Sequence, residues 1–174
     1  PDIKQFWPPW NDDVYDQATK WSSNPTIERW GCALTSAVMV LKYHGHTYTN
    51  PDILNFWLIN QPDGYLTNGL LNWLAVSRYT KINQSLLNPA LEYRRLEANS
   101  SLLINELENN RPAILKEPGH FVVAKSQLPT TFGINDPGYE TRTTLIPYGD
   151  NFLAIGSYRP SFTDLSYILL TVDS

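Results

Sequence analysis

Trp30-Gly31-Cys32-Ala33-Leu34-Thr35-Ser36-Ala37-Val38-Met39-Val40-Leu41 is the stretch on which the fold turns. Ala33, Ala37, Val40 and Leu41 recur at helical spacing and Gly45 supplies a stop, which predicts a helix over 32–43. Cys32 falls at the first turn, behind a glycine. Backbone N–H groups and the helix dipole at such a place favour a thiolate, the nucleophilic form of sulfur. It is the one cysteine in the chain. An internal disulfide is therefore excluded, and two roles remain: reactive nucleophile or small apolar filler.

Working outward, Asn50-Pro51-Asp52 combines a cap, a proline suited to the first helical position and an acid that complements the dipole. A helix through about Ile59 is expected there. Gly69 to Tyr79 and Asn99/Ser100 to Asn109 read as two more helices on their apolar spacing. The period then changes. Pro112–Lys116, Phe121–Ala124, Phe132–Asn135, Thr141–Ile146 and Tyr167–Val172 are β-rich runs, punctuated by Pro118-Gly119 and Asp136-Pro137-Gly138. Residues 1–30, rich in Trp, Pro, Asn and Asp, read as an arm laying its aromatics on the body, with a short helix near Asp13–Thr19. Helices followed by strands predict an α+β fold. We expect one domain over 1–174: the arm, a mainly helical part over 32–110 and a mainly β part over 112–174, whose last strands (140–174) complete the sheet.

Composition narrows the function. The 174 residues are 42% hydrophobic and 13% aromatic, enough for a packed core. A net charge of −4 without a basic block gives nucleic-acid binding no support. No apolar run nears the ~20 residues that span a membrane. One cysteine rules out a multi-cysteine metal site, and Asp63–Asn68 lacks the alternating acids and closing Glu of a calcium loop. We expect no metal and no cofactor. The start at Pro1 suggests a trimmed segment, with an extracellular or cell-envelope bacterial location and a monomer as the expectations.

A cysteine nucleophile needs a base, and the base needs an orienter. The chain offers His44, His46 and His120. His44 and His46 flank a helix-ending glycine and read as a solvated C-terminal cap. His120 opens the run Phe121–Ala124, and sixteen residues on comes Asn135-Asp136-Pro137-Gly138. If those strands pair, Asp136 or Asn135 lies beside the imidazole and fixes its tautomer.

Together, Trp30-Gly31-Cys32…Tyr43-His44-Gly45, Gly119-His120-Phe121-Val122-Val123 and Asn135-Asp136-Pro137-Gly138 resemble the bacteriocin-leader-processing peptidases. These are cysteine peptidase family thirty-nine of the papain-like superfamily, and the likeness is closer to their free-standing relatives than to their transporter-linked ones. The resemblance runs roughly from Gln17 to Pro137. It implies a papain-like fold with Cys32 as nucleophile, His120 as base and Asp136 as orienter. Asn135 is the competing orienter, since the wider superfamily often uses Asn. The family also places a Gln before the Cys to build the oxyanion hole with the Cys backbone N–H. Gln17, fifteen residues upstream, is the expected donor if Lys20–Arg29 loops out, and Gln5 is the next candidate.

Three functions follow. The first is a thiol peptidase acting on a peptide or protein through an acyl-enzyme, with small P1 residues favoured. The second is a papain-like binding module for peptide or glycan, suggested by the distance to Gln17 and the aromatic arm. The third is an acyl or amine transferase of the same fold.

Overall fold

The computed structural model describes residues 1–161, and the expected strand Tyr167–Val172 lies outside them. The architecture is α+β and papain-like: helices on a five-stranded antiparallel sheet. The helices are α1 (Ile27–Trp30), α2 (Cys32–Tyr43), α3 (Pro51–Ile59), α4 (Trp73–Ile82) and α5 (Ser100–Glu108). The strands are β1 (Ala90–Leu96), β2 (Ala113–Glu117), β3 (His120–Gln127), β4 (Phe132–Asn135) and β5 (Ala154–Ser161), in the order β1-β5-β2-β3-β4.

The helix α2 is the spine. Every residue from Ala33 to Leu41 is buried, so this helix is enclosed on all sides and has no solvent face. Leu34, Val38 and Leu41 are fully buried, each contributing about 1.5–3 kcal/mol of apolar burial. One face of the sheet, through Ile114, Val123 and Tyr158, packs against α2 and its neighbours. The other, through Leu115, Val122, Ala124 and Ile134, packs on Leu103 of α5 and Leu145. Side chains alternate between faces because the strand period is two. Gly31 is required at the entrance to α2: a Cβ there would stand 2.5 Å from the Ile27 carbonyl oxygen. That clearance lets α1 end directly against α2, whose first residue is Cys32.

Several expected elements move. The helix expected over 69–79 runs over Trp73–Ile82, started by Asn72, whose side chain accepts from the Leu74 N–H. β1 interrupts the part expected to be mainly helical, and β5 lies where no specific run had been singled out. Both are recognisable by pairing: Ala90–Leu96 aligns with Ser161–Ile155 over its whole length. Thr141–Ile146 does not form a strand. It makes one bridge, Gly133 to Thr144, and leads into a 3-10 turn at Ile146–Tyr148, where Pro147 fits and a strand's ladder would not. In the arm, the regular piece near the expected Asp13–Thr19 helix is a 3-10 turn at Ala18–Lys20.

Candidate active site

Three segments meet at one end of the sheet. Cys32, half-buried, opens α2. His120 opens β3 after the two-residue turn Pro118-Gly119, where Gly119 takes a φ of 66° that only glycine adopts without strain. Asp136 follows β4. The register explains why Asp136, and not Asn135, reaches the histidine. Val123 pairs with Asn135, and both belong to the α2 face. One step further, Asp136 falls on the opposite face, shared by Val122 and His120. Asn135 Nδ2 instead donates to the Pro1 carbonyl at 2.9 Å, on the far side from the cleft.

The imidazole links the other two groups. His120 Nε2 donates to Asp136 Oδ1 at 2.7 Å. That leaves Nδ1 for Cys32, which is also a hydrogen-bond partner of the ring. Burial works against the imidazolium, but the bonds to Asp136 and Cys32 outweigh it and raise His120 to about 9. Its ring is protonated at neutral pH. Burial also works against ionisation of Asp136, whose side chain is fully buried. Donation from His120, from Tyr148 and from the Gly138 N–H (3.0 Å) nonetheless holds its carboxyl below the usual carboxylate range.

Gln17 is not part of this assembly. It is exposed, its Oε1 accepts from Lys20 Nζ at 2.6 Å, and it borders a separate cavity with Trp21, Leu58 and Tyr65. The Lys20–Arg29 segment does fold back, with Trp21 against Trp30 edge to face and Val14 bridged to Thr26. That fold holds Gln17 away from the cleft. Gln5 stands there instead, lining a cleft of about 410 Å³ with Cys32, Gly119, His120, Tyr139 and Tyr148. Its amide Nε2 donates one hydrogen to the Glu28 carbonyl at 2.7 Å, and its buried Oε1 has no partner among the described residues. The second Nε2 hydrogen remains for a ligand. The signal that could have found Gln5 is tertiary: its N–H donates to the Pro137 carbonyl at 2.9 Å, which seats the arm beside Asp136.

Lys4 is the other arm residue the sequence reading missed. It is buried, and its Nζ donates to the Asp136 carbonyl at 2.6 Å and the Tyr139 carbonyl at 3.1 Å, with Asp2 Oδ1 at 3.0 Å. Glu117 is paired with His120 across the β2–β3 hairpin. Burial raises its carboxyl to about 7, with His120 opposing, and its Oε2 is buried without a hydrogen-bond partner among the described residues. His44 and His46 are not a solvated cap. His46 is buried with Nε2 at 2.7 Å from the Pro89 carbonyl, and burial lowers His44 to about 4. The reason is the 83–90 segment, which folds over the end of α2 and brings the Leu87 carbonyl against Gly45. Among the described residues, no three His, Cys, Asp or Glu side chains gather as a metal site, and no helix is long and apolar enough to cross a membrane.

The sequence profile of the Peptidase_C39 like family matches residues 12–160. The chain belongs to that family. No curated protein matches it. Membership carries a peptidase-related function in general terms. It covers Cys32, His120 and Asp136, whereas Gln5 lies upstream of the matched residues.

Proposed function

We propose that the chain is a thiol peptidase, with Cys32 as nucleophile, His120 as acid and base, and Asp136 as orienter. The observation that carries this reading is the position of His120, bonded through Nε2 to a buried carboxylate and through its other nitrogen side to Cys32, at a cleft. In the first step the Cys32 sulfur attacks a substrate carbonyl carbon and the carbonyl oxygen takes the negative charge. The Cys32 backbone N–H and the free Gln5 Nε2 hydrogen receive that oxyanion. Collapse expels the amine, which takes its proton from the His120 imidazolium, and leaves a thioester on Cys32. A water then gives its proton to His120 as its oxygen attacks the thioester. The acid leaves and the thiolate–imidazolium pair is restored.

Two features separate this reading from a binding module. A module needs no base held by a buried carboxylate, and the described residues lining the cleft include no tryptophan. The test compares wild type with Cys32→Ala on a panel of peptides, alongside the rate of iodoacetamide labelling. Peptide cleavage lost in Cys32→Ala, with labelling at neutral pH well above that of a free thiol, supports the proposal. Labelling at the free-thiol rate, or cleavage that survives Cys32→Ala, overturns it. Adding an amine and identifying products distinguishes hydrolysis from transfer.

A further inference from the structure

The second oxygen of Asp136 has a partner that the proposed mechanism does not use. Asp136 Oδ2 accepts from the Tyr148 hydroxyl. Arg142 Nη1 donates to that same hydroxyl oxygen at 3.1 Å. A guanidinium has no acceptor, so Tyr148 must accept from Arg142 and direct its own proton at Asp136. The direction of the whole relay is therefore determined: Arg142 to Tyr148, Tyr148 to Asp136, with His120 donating to the other carboxylate oxygen. The Tyr148 ring also lies nearly parallel to the His120 ring, 21° between planes with centroids 6.2 Å apart. Arg142 is itself held over the Tyr139 ring at 3.6 Å, and Tyr139 meets His120 edge-on at 5.8 Å.

We propose that Tyr148, oriented by Arg142, is a positioning residue that holds the Asp136 carboxylate in the plane of His120 and limits rotation of the imidazole by stacking. It touches no reacting atom and acts through Asp136 and His120. Burial first, and the bond to the Asp136 carboxylate next, push its phenol well above its ordinary value, so it is a donor at neutral pH. Without that donor, Oδ2 is an unpaired oxygen of a buried carboxylate, which is costly enough to make the group turn. Turning it weakens the bond to His120 Nε2. The other ionisable groups around the imidazole are Cys32 on α2, Glu117 on β2, Tyr139 on the following loop, and Glu28 and Arg29 at the cleft wall. Lys4 reaches Asp136 only at its backbone carbonyl. None of these groups bonds the Tyr148 hydroxyl, whose partners are Arg142 and the Asp136 carboxylate.

The inference rests on the proposed role of His120, and its test is read on the imidazole directly. In Tyr148→Phe, which keeps the ring, NMR titration of His120 is expected to fall by about one pH unit towards the ordinary histidine value. The downfield proton of the His120–Asp136 bond is expected to be lost or broadened. Arg142→Lys, which retains a donor, is expected to stay near wild type, and Arg142→Met to follow Tyr148→Phe in smaller degree. If Tyr148→Phe fails to fold, the same readouts on Arg142→Met decide. A wild-type titration and an intact downfield proton in the folded variant overturn the proposal. Labelling of wild-type Cys32 at the free-thiol rate overturns the peptidase reading alone, because the titration still decides the role of Tyr148.

Discussion

Two short stretches of the arm each carry a glutamine, and they end at opposite sides of α2's surroundings. Ile3–Gln5 lies along the segment that follows β4: Gln5 N–H bonds the Pro137 carbonyl, and Lys4 Nζ bonds the carbonyls of Asp136 and Tyr139. Tyr15–Gln17 is tied to α3 and the loop before α4. Asn55 Oδ1 accepts from the Asp16 N–H at 3.1 Å and from the Tyr65 hydroxyl at 2.7 Å, Asn55 Nδ2 donates to Val14, and the Tyr15 hydroxyl donates to the Gly69 carbonyl at 2.6 Å. Gln17 is nearer to Cys32 in sequence and Gln5 is nearer in space. Separation along the chain says little about distance once a segment is anchored by long-range hydrogen bonds, and the anchors differ.

Substitutions can break this contrast. Gln5→Ala should cost about 10²–10³ in kcat with KM nearly kept, the loss typical of one oxyanion donor, read by steady-state kinetics on any peptide the wild type cleaves. An equal loss in Gln17→Ala instead would reverse the assignment. Asn55→Ala strips partners from the buried anchor of Tyr15–Gln17. It should cost about 1–3 kcal/mol of stability in urea unfolding while the folded protein keeps its kcat. Lys4→Met leaves the Asp136 and Tyr139 carbonyls without their ammonium donor. It should lower stability by about 1–2 kcal/mol and, unlike Asn55→Ala, reduce kcat as well, because the segment it releases carries Asp136.

A pH series sharpens the same contrast. Glu117, beside His120, is a buried acid raised to about 7. The folded state binds its proton more tightly than the unfolded chain does, so the group weakens folding as pH rises from its unfolded value through about 7. Glu117→Gln should therefore gain stability relative to wild type at pH 8.5 and show no such gain at pH 4, measured by urea midpoints. His120 also has a raised folded value, so its contribution runs in the same direction but in a higher window. Its stabilisation is complete below its unfolded value and disappears as pH rises through about 9, and proposed turnover should fall over that same upper limb. The smallest effect belongs to Gln17→Ala: an exposed side chain bonded to Lys20, expected within about 0.5 kcal/mol of wild type and with unchanged kinetics.

Local signals read well wherever one element carried them alone. The Pro51 start of α3, the Asn99 cap of α5, whose side chain accepts from the Ser101 and Leu102 N–H groups, and the Pro118-Gly119 turn all sit where their residues predict. The strand β1 was harder to read, since Glu92, Arg94 and Arg95 are exposed and its apolar residues are few. Its identity depends on β5, which lies far along the chain. Thr141–Ile146 shows the reverse: β-branched residues suggest a strand, but Pro147 and the turn that presents Tyr148 to Asp136 end the pairing after one bridge.

By itself the sequence determined the order of the parts: a helix that opens on the one cysteine, then strands that carry a histidine and an acid, and with them the α+β class and the family. Those follow from short-range periodicity, caps and turns, which depend on neighbours along the chain. Only the tertiary structure decided which acid faces His120, which glutamine enters the cleft, and that Tyr148, Arg142 and Lys4 attend Asp136. Each of these depends on strand register, on which face of the sheet a side chain occupies, or on a hydrogen bond between residues far apart in sequence, and such pairings leave no local pattern to read.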